Sequence, residues 1–197
     1  MNAVRFPDGY RLEPLRKSHP RSAFRCGQAQ VDDWLATKAL QNQDKRLSAT
    51  KALIAGPGDI AGFYTLATAQ VDFSDLPPEL IRHLPRRDLP VAVLAWLGVD
   101  VGHRGLGLGH RLLAQALLDC HLASRIFPVV AVILDCIDEP AKAFYRRWDF
   151  RELPGYRQRL YLSWKQLDAM MQSANRSTDC QPPEQANPPR LTLGASA

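Results

Sequence analysis

Apolar and polar blocks alternate along the chain, and the clearest of them lie near its middle. An apolar run at 90–100 is followed by a glycine-rich loop at 104–109 and by a helical pattern over about 108–122, where leucines recur three or four positions apart. A second apolar run at 128–135 precedes another helical pattern at 138–148. This central unit is therefore predicted to form a strand, a loop, a helix, a second strand and a second helix, in that order.

The flanking segments extend the pattern into one α/β domain, which we predict to span residues 1–172. The apolar residues of segment 29–44 are spaced for one buried helix face. Further strands are predicted at 10–15, 48–54, 60–71, 150–153 and 158–164, and further helices at 77–85 and 165–172. From residue 173 onward serine, asparagine, glutamine and proline replace the aliphatic residues, and such a composition cannot bury a core. Segment 173–197 is therefore predicted to be a disordered, proline-rich tail.

The composition is that of an ordinary globular protein. Of 197 residues, 46% are hydrophobic and 23% are charged, and no apolar run approaches the roughly 20 residues that a membrane helix needs. The first residues lack the apolar core of a signal peptide, so we expect a cytoplasmic location and no membrane contact. The four cysteines form no Cys-x-x-Cys motif, so we expect no metal site and free thiols, three of them packed as small apolar groups.

The net charge of +5 and the pI of about 9.2 come mainly from arginine. A solvated basic surface would explain this excess. A patch that binds RNA or the phosphates of a cofactor would explain it equally well. Composition alone leaves both interpretations open.

The glycine-rich loop is the first candidate for chemistry. Gly105, Gly107 and Gly109 allow a sharp turn without Cβ atoms, so several N–H groups can converge at the start of a helix. Such a loop suits a pyrophosphate, and Arg104 adds a mobile positive charge, although a plain tight turn would have the same composition. Because the acid of a dinucleotide fingerprint and the Lys-Ser/Thr ending of a triphosphate loop are both missing, the usual dinucleotides and nucleoside triphosphates are not expected.

Two motifs resemble the GNAT superfamily of acetyltransferases. Arg104-Gly-Leu-Gly-Leu-Gly109 is similar to its Arg/Gln-x-x-Gly-x-Gly/Ala loop, and Ala141-Lys-Ala-Phe-Tyr145, followed by Phe150, is similar to its Ala-x-x-Phe-Tyr segment. Within the superfamily the chain most resembles the toxin-type acetyltransferases of toxin–antitoxin systems, which acetylate aminoacyl-tRNA. The resemblance covers about residues 10–164 and includes the segments 24–27, 31–35, 60–66, 94–100 and 132–135.

The resemblance implies a mixed, mostly antiparallel sheet with helices on both faces, splayed between its fourth and fifth strands near 97–99 and 133–135. Acetyl-CoA would be the co-substrate and would lie in that opening, and no metal is implied. Tyr145 would be the general acid that protonates the departing thiolate, although it could also be a core aromatic residue. The residues implied to contact acetyl-CoA are Leu97, Gly98, Val99, Arg104, Gly105, Leu106, Gly107, Leu108, Gly109, Ala141 and Phe144.

The choice of acceptor depends on how easily its amine loses a proton. An α-amine, whose ordinary pKa is about 7.7–8.0, needs less help from a base than a lysine amine, whose ordinary pKa is about 10.4. No base stands out near the cleft: Glu139 is explained as the acidic start of a helix, and His103 and His110 as solvent-facing neighbours of the loop. Together with the arginine excess, this favours an α-amine on a polyanionic carrier such as aminoacyl-tRNA, although a water chain could also act as the base.

Three positions depart from the toxin pattern. Trp96 stands where the family commonly has arginine, Leu106 where it often has a basic residue, and Asp149 where it usually has glycine. The first two remove positive charge near the expected path of the cofactor or RNA, which leaves the fold unaffected and puts the substrate in question.

Several alternatives remain open. Tyr64 could line the acceptor cleft or pack on the sheet, and the apolar alternation of 160–164 could form core, which is favoured, or the face of a homodimer. The family resemblance implies a small DNA-binding antitoxin as a partner. The enzyme could instead act on a small amine or a protein N-terminus, or the chain could be a catalytically silent protein that binds CoA or RNA.

Overall fold

The polypeptide forms one seven-stranded sheet with helices on both faces, in a computed structural model that describes residues 4–56, 58–82 and 84–178. The strands are β1 (Tyr10–Pro14), β2 (Ala49–Ala55), β3 (Asp59–Val71), β4 (Leu89–Val99), β5 (Ala131–Asp135), β6 (Arg151–Leu153) and β7 (Tyr156–Ser163). The helices are α1 (Ala29–Thr37), α2 (Ala39–Asp44), α3 (Pro78–Ile81), α4 (Leu108–Ser124), α5 (Glu139–Arg146) and α6 (Trp164–Thr178).

The strand order is β1-β2-β3-β4-β5-β7-β6, and the pairing is antiparallel except between β4 and β5. Each strand predicted from the sequence is present, and the predicted mixed, mostly antiparallel sheet is confirmed. The single parallel pair arises because α4 carries the chain back across the sheet between β4 and β5.

Helix boundaries differ from the predictions where side chains compete with the backbone. The single helix expected over 29–44 is divided at Lys38, after the Thr37 hydroxyl donates to the carbonyl of Asp33 at 2.8 Å, a bond that bends helices. The last helix begins at Trp164 and continues to Thr178, because no glycine or proline interrupts it. The helix therefore extends six residues beyond the predicted 165–172, the domain boundary at 172 stays a prediction, and the rest of the predicted tail, 179–197, lies outside the described residues.

The side chains of the strands alternate between two apolar layers, except where the strand register shifts. On one face, α4 and α6 cover side chains such as Leu53, Leu134 and Leu162. On the other face, α1 and α2 cover residues including Ile54 and Phe63, and a third cluster forms around α3. Three residues of β7, Leu160, Tyr161 and Leu162, are buried, so the core interpretation of this strand is confirmed.

Three of the four cysteines lie in the described part of the chain. Cys26, Cys120 and Cys136 are free and buried, as expected for small apolar groups, and Cys180 lies outside the described residues. Within these same residues no helix is long and apolar enough to cross a membrane, and no cluster of histidine, cysteine or acidic residues could hold a metal ion.

Candidate active site

The candidate site is the opening between β4 and β5. These strands pair only at Ala92–Val132 and Val93–Ile133, after which β4 continues to Val99. The splay predicted from the family resemblance is therefore present. A cavity of about 390 Å³ lies in this opening, with walls that include Val31 of α1, Trp96 and Leu97 of β4, Cys136 after β5, and Ala141 and Tyr145 of α5.

A β-bulge at Ala95 decides which side chains of β4 face each layer. The register with β3 shifts here, because Thr65 lies opposite Trp96 whereas Leu66 lies opposite Leu94. As a result Leu94 and Leu97 both pack toward α4, and Trp96 between them packs toward α1. Beyond Val93 the β5-facing edge of β4 forms no further strand pair in the described structure, so its backbone groups are available to an extended ligand.

The glycine-rich loop ends at the first turn of α4, as predicted. Gly105 and Gly107 have φ values of +81° and +68°, a backbone region that residues other than glycine rarely adopt. Gly107 is the residue that precedes α4, and no side chain caps this helix, so its first N–H groups point to the open end. The loop therefore has the geometry of an anion site. Gly109, in contrast, is helical, and its expected part in the sharp turn is not observed.

The entrance to this loop is tied to the segment before α1. The Arg104 guanidinium donates to the carbonyl of Cys26 at 2.6 Å, so this charge is held in place and is not the mobile charge expected from the sequence. Asp100 accepts from the N–H groups of Gly102 and Arg25, each at 2.9 Å. These bonds fix the loop against the other wall of the cleft.

Tyr145 is held at the cavity by α5. That helix starts with the Asp138 side chain accepting from the Ala141 N–H at 2.8 Å. The Tyr145 ring packs edge-on against Phe144 and Phe150, with centroids 5.1 and 5.8 Å away, and only 9% of the residue is exposed. Tyr145 is thus both a core aromatic residue and a cavity residue. Burial, and to a smaller extent Cys136, raises the pKa of Tyr145 well above that of an ordinary phenol, so the hydroxyl stays protonated at neutral pH.

Two titratable groups at the cavity were not predicted from the sequence. Asp135, the last residue of β5, and Cys136, directly after it, line the cavity, where the splay itself could have drawn attention to them. Burial raises the pKa of Cys136 to about 11, so it is a neutral thiol at pH 7. Asp135 accepts two hydrogen bonds from Arg159, at 2.8 and 2.9 Å, and is therefore already paired with a cation.

The bases considered from the sequence lie elsewhere. Glu139 is in the first turn of α5, accepts from Gln158 at 3.0 Å, and does not line the cavity, which agrees with its interpretation as a helix-start acid. His103 lies 2.9 Å from the Tyr10 hydroxyl and is only partly exposed. His110 is exposed, as expected, and accepts from the Trp148 indole N–H at 2.9 Å.

Tyr64 is also absent from this cavity. It is 1% exposed and donates to Asp119 of α4 at 2.5 Å, and Asp119 in turn contacts Lys51 at 2.6 Å. Burial and the Asp119 carboxylate raise the pKa of Tyr64. The packing interpretation of Tyr64 is therefore the correct one. Two larger clefts, of about 620 and 580 Å³, contain neither Tyr145 nor the glycine-rich loop.

Comparison with known proteins gives tRNA-acetylating toxins among the relatives. No protein-family model matches the chain. A tRNA-acetylating toxin of Mycobacterium tuberculosis is 31% identical over 150 residues, which cover 76% of this chain and 89% of the toxin. The structure of AtaT complexed with acetyl-methionyl-tRNAfMet aligns with a TM-score of 0.76 at 21% identity, over 82% of this chain and 99% of AtaT. A mutant AtaT bound to the C-terminus of the antitoxin AtaR and to acetyl-CoA aligns with a TM-score of 0.70 at 18% identity, over 83% and 99% of the two chains.

The splayed sheet, with a glycine-rich loop at a helix N-terminus, places the chain in the GNAT class of acetyltransferases. Its similarity to the mycobacterial toxin spans most of both chains. The chain therefore belongs to the family of tRNA-acetylating toxins, as the sequence motifs predicted.

Proposed function

We propose that this protein transfers the acetyl group of acetyl-CoA to the α-amine of an aminoacyl-tRNA, and so acts as a toxin that blocks translation. The observation that carries the proposal is the cavity between β4 and β5, where Tyr145 borders an unpaired strand edge. Family membership supports the substrate class, because the mycobacterial relative is named for acetylating tRNA.

The donor side of the cleft offers backbone groups to two parts of acetyl-CoA. The pantetheine arm would pair with the free backbone edge around Leu97, Gly98 and Val99, as an additional strand would. The pyrophosphate would accept from the N–H groups of segment 104–109 at the start of α4.

Other residues expected at the cofactor take smaller roles. Ala141 and Leu97 line the cavity, so they would border the acetylated end of the arm. Leu108 and Gly98 are buried in the core, so they could contribute backbone groups only. Phe144 contacts the His110 ring, with centroids 4.9 Å apart, and would form an outer wall beside the loop.

When bound, acetyl-CoA supplies an acyl carbon activated as a thioester. The acceptor nitrogen forms a bond to this carbon while the carbon–sulfur bond breaks, and the Tyr145 hydroxyl gives its proton to the departing sulfur. The acceptor nitrogen releases its own proton to water, and Tyr145 is reprotonated from solvent. The raised pKa of Tyr145 keeps the proton in place before each turnover.

The lack of a dedicated base agrees with this acceptor. An α-amine is partly neutral at pH 7, and the ester that links an amino acid to tRNA lowers the pKa of that amine further. Asp135 borders the cavity but is held by Arg159, so we assign it no proton transfer.

The partners and the location follow from the proposed substrate. Charged tRNA is used in the cytoplasm, so the enzyme would act there. A toxin of this kind needs an antitoxin, and the AtaT relative has been solved with the C-terminus of AtaR. Assembly into a homodimer stays a prediction.

An acetyl-transfer assay with labelled acetyl-CoA and total charged tRNA tests the proposal. Uncharged tRNA, polyamines and short peptides are the controls, and the assay is repeated over a range of salt concentrations. Label is expected only on charged tRNA. The rate at low tRNA concentration is expected to fall steeply with salt if arginines of the protein bind the tRNA phosphates.

Two other results would contradict the proposal. Label on peptides or polyamines in place of tRNA would indicate a metabolic or protein acetyltransferase. The absence of label on every acceptor, with acetyl-CoA still bound in calorimetry, would indicate a silent member of the family.

A further inference from the structure

Trp96 ends a column of aromatic rings that reaches from the core to the cavity. Phe63 is fully buried, and the Trp34 ring lies nearly parallel to it, with centroids 6.3 Å apart and planes 9° apart. Trp96 stacks on Trp34 in turn, with centroids 5.2 Å apart and an angle of 24°. Trp96 also lines the cavity that Tyr145 borders. The column therefore holds one indole in a fixed position at the reaction site.

This indole lies on the α1 side of the cleft. The bulge at Ala95 turns Trp96 toward α1, whereas its neighbours Leu94 and Leu97 turn toward α4, whose first turn carries the anion site. Because the donor would occupy the α4 side, the acceptor has to approach from the α1 side. Trp96 would then be among the first side chains that it meets.

The surroundings of Trp96 are mostly apolar and unsuited to phosphate. Val31, Leu94 and Ile137 share the cavity with it, and the charged residue in the lining, Asp135, is an anion. An arginine at position 96, the residue expected from the family resemblance, would attract an RNA phosphate, but an indole cannot. The substitution therefore exchanges an electrostatic contact for an apolar, aromatic one.

We propose that Trp96, supported by Trp34, forms a pocket for the side chain of the amino acid on the tRNA, and selects large apolar or aromatic residues over glycine. This inference rests on the proposed function and specifies its substrate. The α-carbon that carries the reacting amine also carries the side chain and the ester to the tRNA, and of these two the apolar side chain suits the apolar surface around Trp96 better. The amine has to reach the acyl carbon in the cavity bordered by Tyr145, so its side chain lies within the same space.

The test uses a single tRNA acylated by a ribozyme with glycine, alanine, leucine, methionine or phenylalanine. Using one tRNA removes every difference in RNA sequence. We expect kcat/KM to be at least about tenfold higher for the large apolar amino acids than for glycine, as is usual when a hydrophobic pocket is filled. Trp96→Ala should bring all five within about twofold of one another, and Trp96→Phe should retain most of the preference.

A matched control separates recognition from folding. Trp164 is a partly buried indole that stacks on His121 with centroids 5.6 Å apart, and it does not line the cavity that Tyr145 borders. Trp164→Ala should lower the stability of the protein without changing the ratios of kcat/KM between the five amino acids. The dissociation constant of acetyl-CoA, measured by calorimetry, should be unchanged in Trp96→Ala.

Three outcomes would contradict the proposed side-chain pocket at Trp96. The first is a wild-type enzyme that acetylates glycyl-tRNA as fast as the others. The second is an equal loss of kcat/KM for all five amino acids in both Trp96→Ala and Trp96→Phe. That result would mean that Trp96 stacks on a group common to all five substrates, such as the terminal adenine of the tRNA. The third, no acetylation of any charged tRNA, would overturn the proposed function as well, and is thereby distinguished from the other two.

Discussion

The two sides of the cleft are built from different parts of the polypeptide. The donor side offers backbone groups, from the loop at 104–109 and from the free edge of β4. The acceptor side offers side chains, with Trp96 stacked on Trp34. Backbone groups are present whatever the side chain, so a site built from them changes little when residues are substituted.

This difference explains where the chain can depart from its family without losing the reaction. Leu106 replaces a commonly basic residue, yet its side chain is 50% exposed and the glycines on either side of it determine the loop. Trp96 changes the surface of the acceptor side itself. The donor side would thus be shared by the family, and the acceptor side would distinguish its members.

The largest effect is expected at Tyr145, which lies between the two sides of the cleft. Tyr145→Phe should lower kcat about 100-fold, because the departing thiolate loses its proton donor, and should leave the affinity for acetyl-CoA unchanged. Steady-state rates with charged tRNA, and calorimetry with acetyl-CoA, measure the two quantities.

Tyr64→Phe is the matched control, since it removes a phenol hydroxyl that lies outside the cavity. It should lower the free energy of unfolding by about 1–2 kcal/mol, because Asp119 loses a buried donor, and should change kcat less than twofold. Full activity in Tyr145→Phe would refute its role as the general acid. An equal fall in both variants would trace the loss to stability.

The second prediction breaks the donor side through its backbone. Gly107→Ala places a Cβ at a φ of +68°, so the loop has to relax and its N–H groups move away from the pyrophosphate. The KM for acetyl-CoA should rise about tenfold, equivalent to about 1.4 kcal/mol. Steady-state kinetics with varied acetyl-CoA measure this change.

Gly155→Ala provides the comparison, because Gly155 has a φ of +81° with open space around it, in the turn between β6 and β7. It should cost similar stability and leave the KM for acetyl-CoA unchanged. If both variants raised KM alike, backbone strain would act through the whole domain, and the loop would have no special part in binding.

The contrast between the two sides also explains what could be predicted from sequence. The loop 104–109 and the segment 141–145 are each one unbroken stretch of sequence, so their residue types directly indicate their backbone conformation. Short apolar segments between turns likewise predicted all seven strands, because both faces of the sheet are buried. These features are local, and the sequence displays them.

The acceptor side could not be predicted because its contacts join distant parts of the chain. Trp34 and Trp96 are 62 positions apart, and only the bulge at Ala95 turns them toward one another. A bulge adds one residue to an apolar run and leaves no pattern in it. The pairing of Tyr64 with Asp119 was missed for the same reason.

The third prediction sharpens the assignment of Tyr145 through pH. A general acid works in its protonated form, so a raised pKa shifts the loss of activity to higher pH. With an amide-linked analogue of aminoacyl-tRNA, which resists alkaline hydrolysis, the rate should rise as the amine loses its proton and then stay level to pH 10.5. A phenol with an ordinary pKa of about 10 would be only about one-quarter protonated there, so a fourfold fall in rate would contradict the assignment.

The smallest effect is expected at Asp149, which stands where glycine is usual in the family. Asp149 has a φ of +60° just after α5, which accounts for glycine being usual there. Asp149→Gly should raise the free energy of unfolding by at most about 0.5 kcal/mol, since relief of strain is partly offset by the freedom glycine gains in the unfolded chain. Asp149→Ala should lower it by about 1 kcal/mol, because alanine tolerates this conformation less well than aspartate. Urea unfolding measures both changes. Unchanged kinetics in both variants would separate this backbone departure from the one at Trp96, whereas a change in amino-acid preference would show that the end of α5 shapes the acceptor side as well.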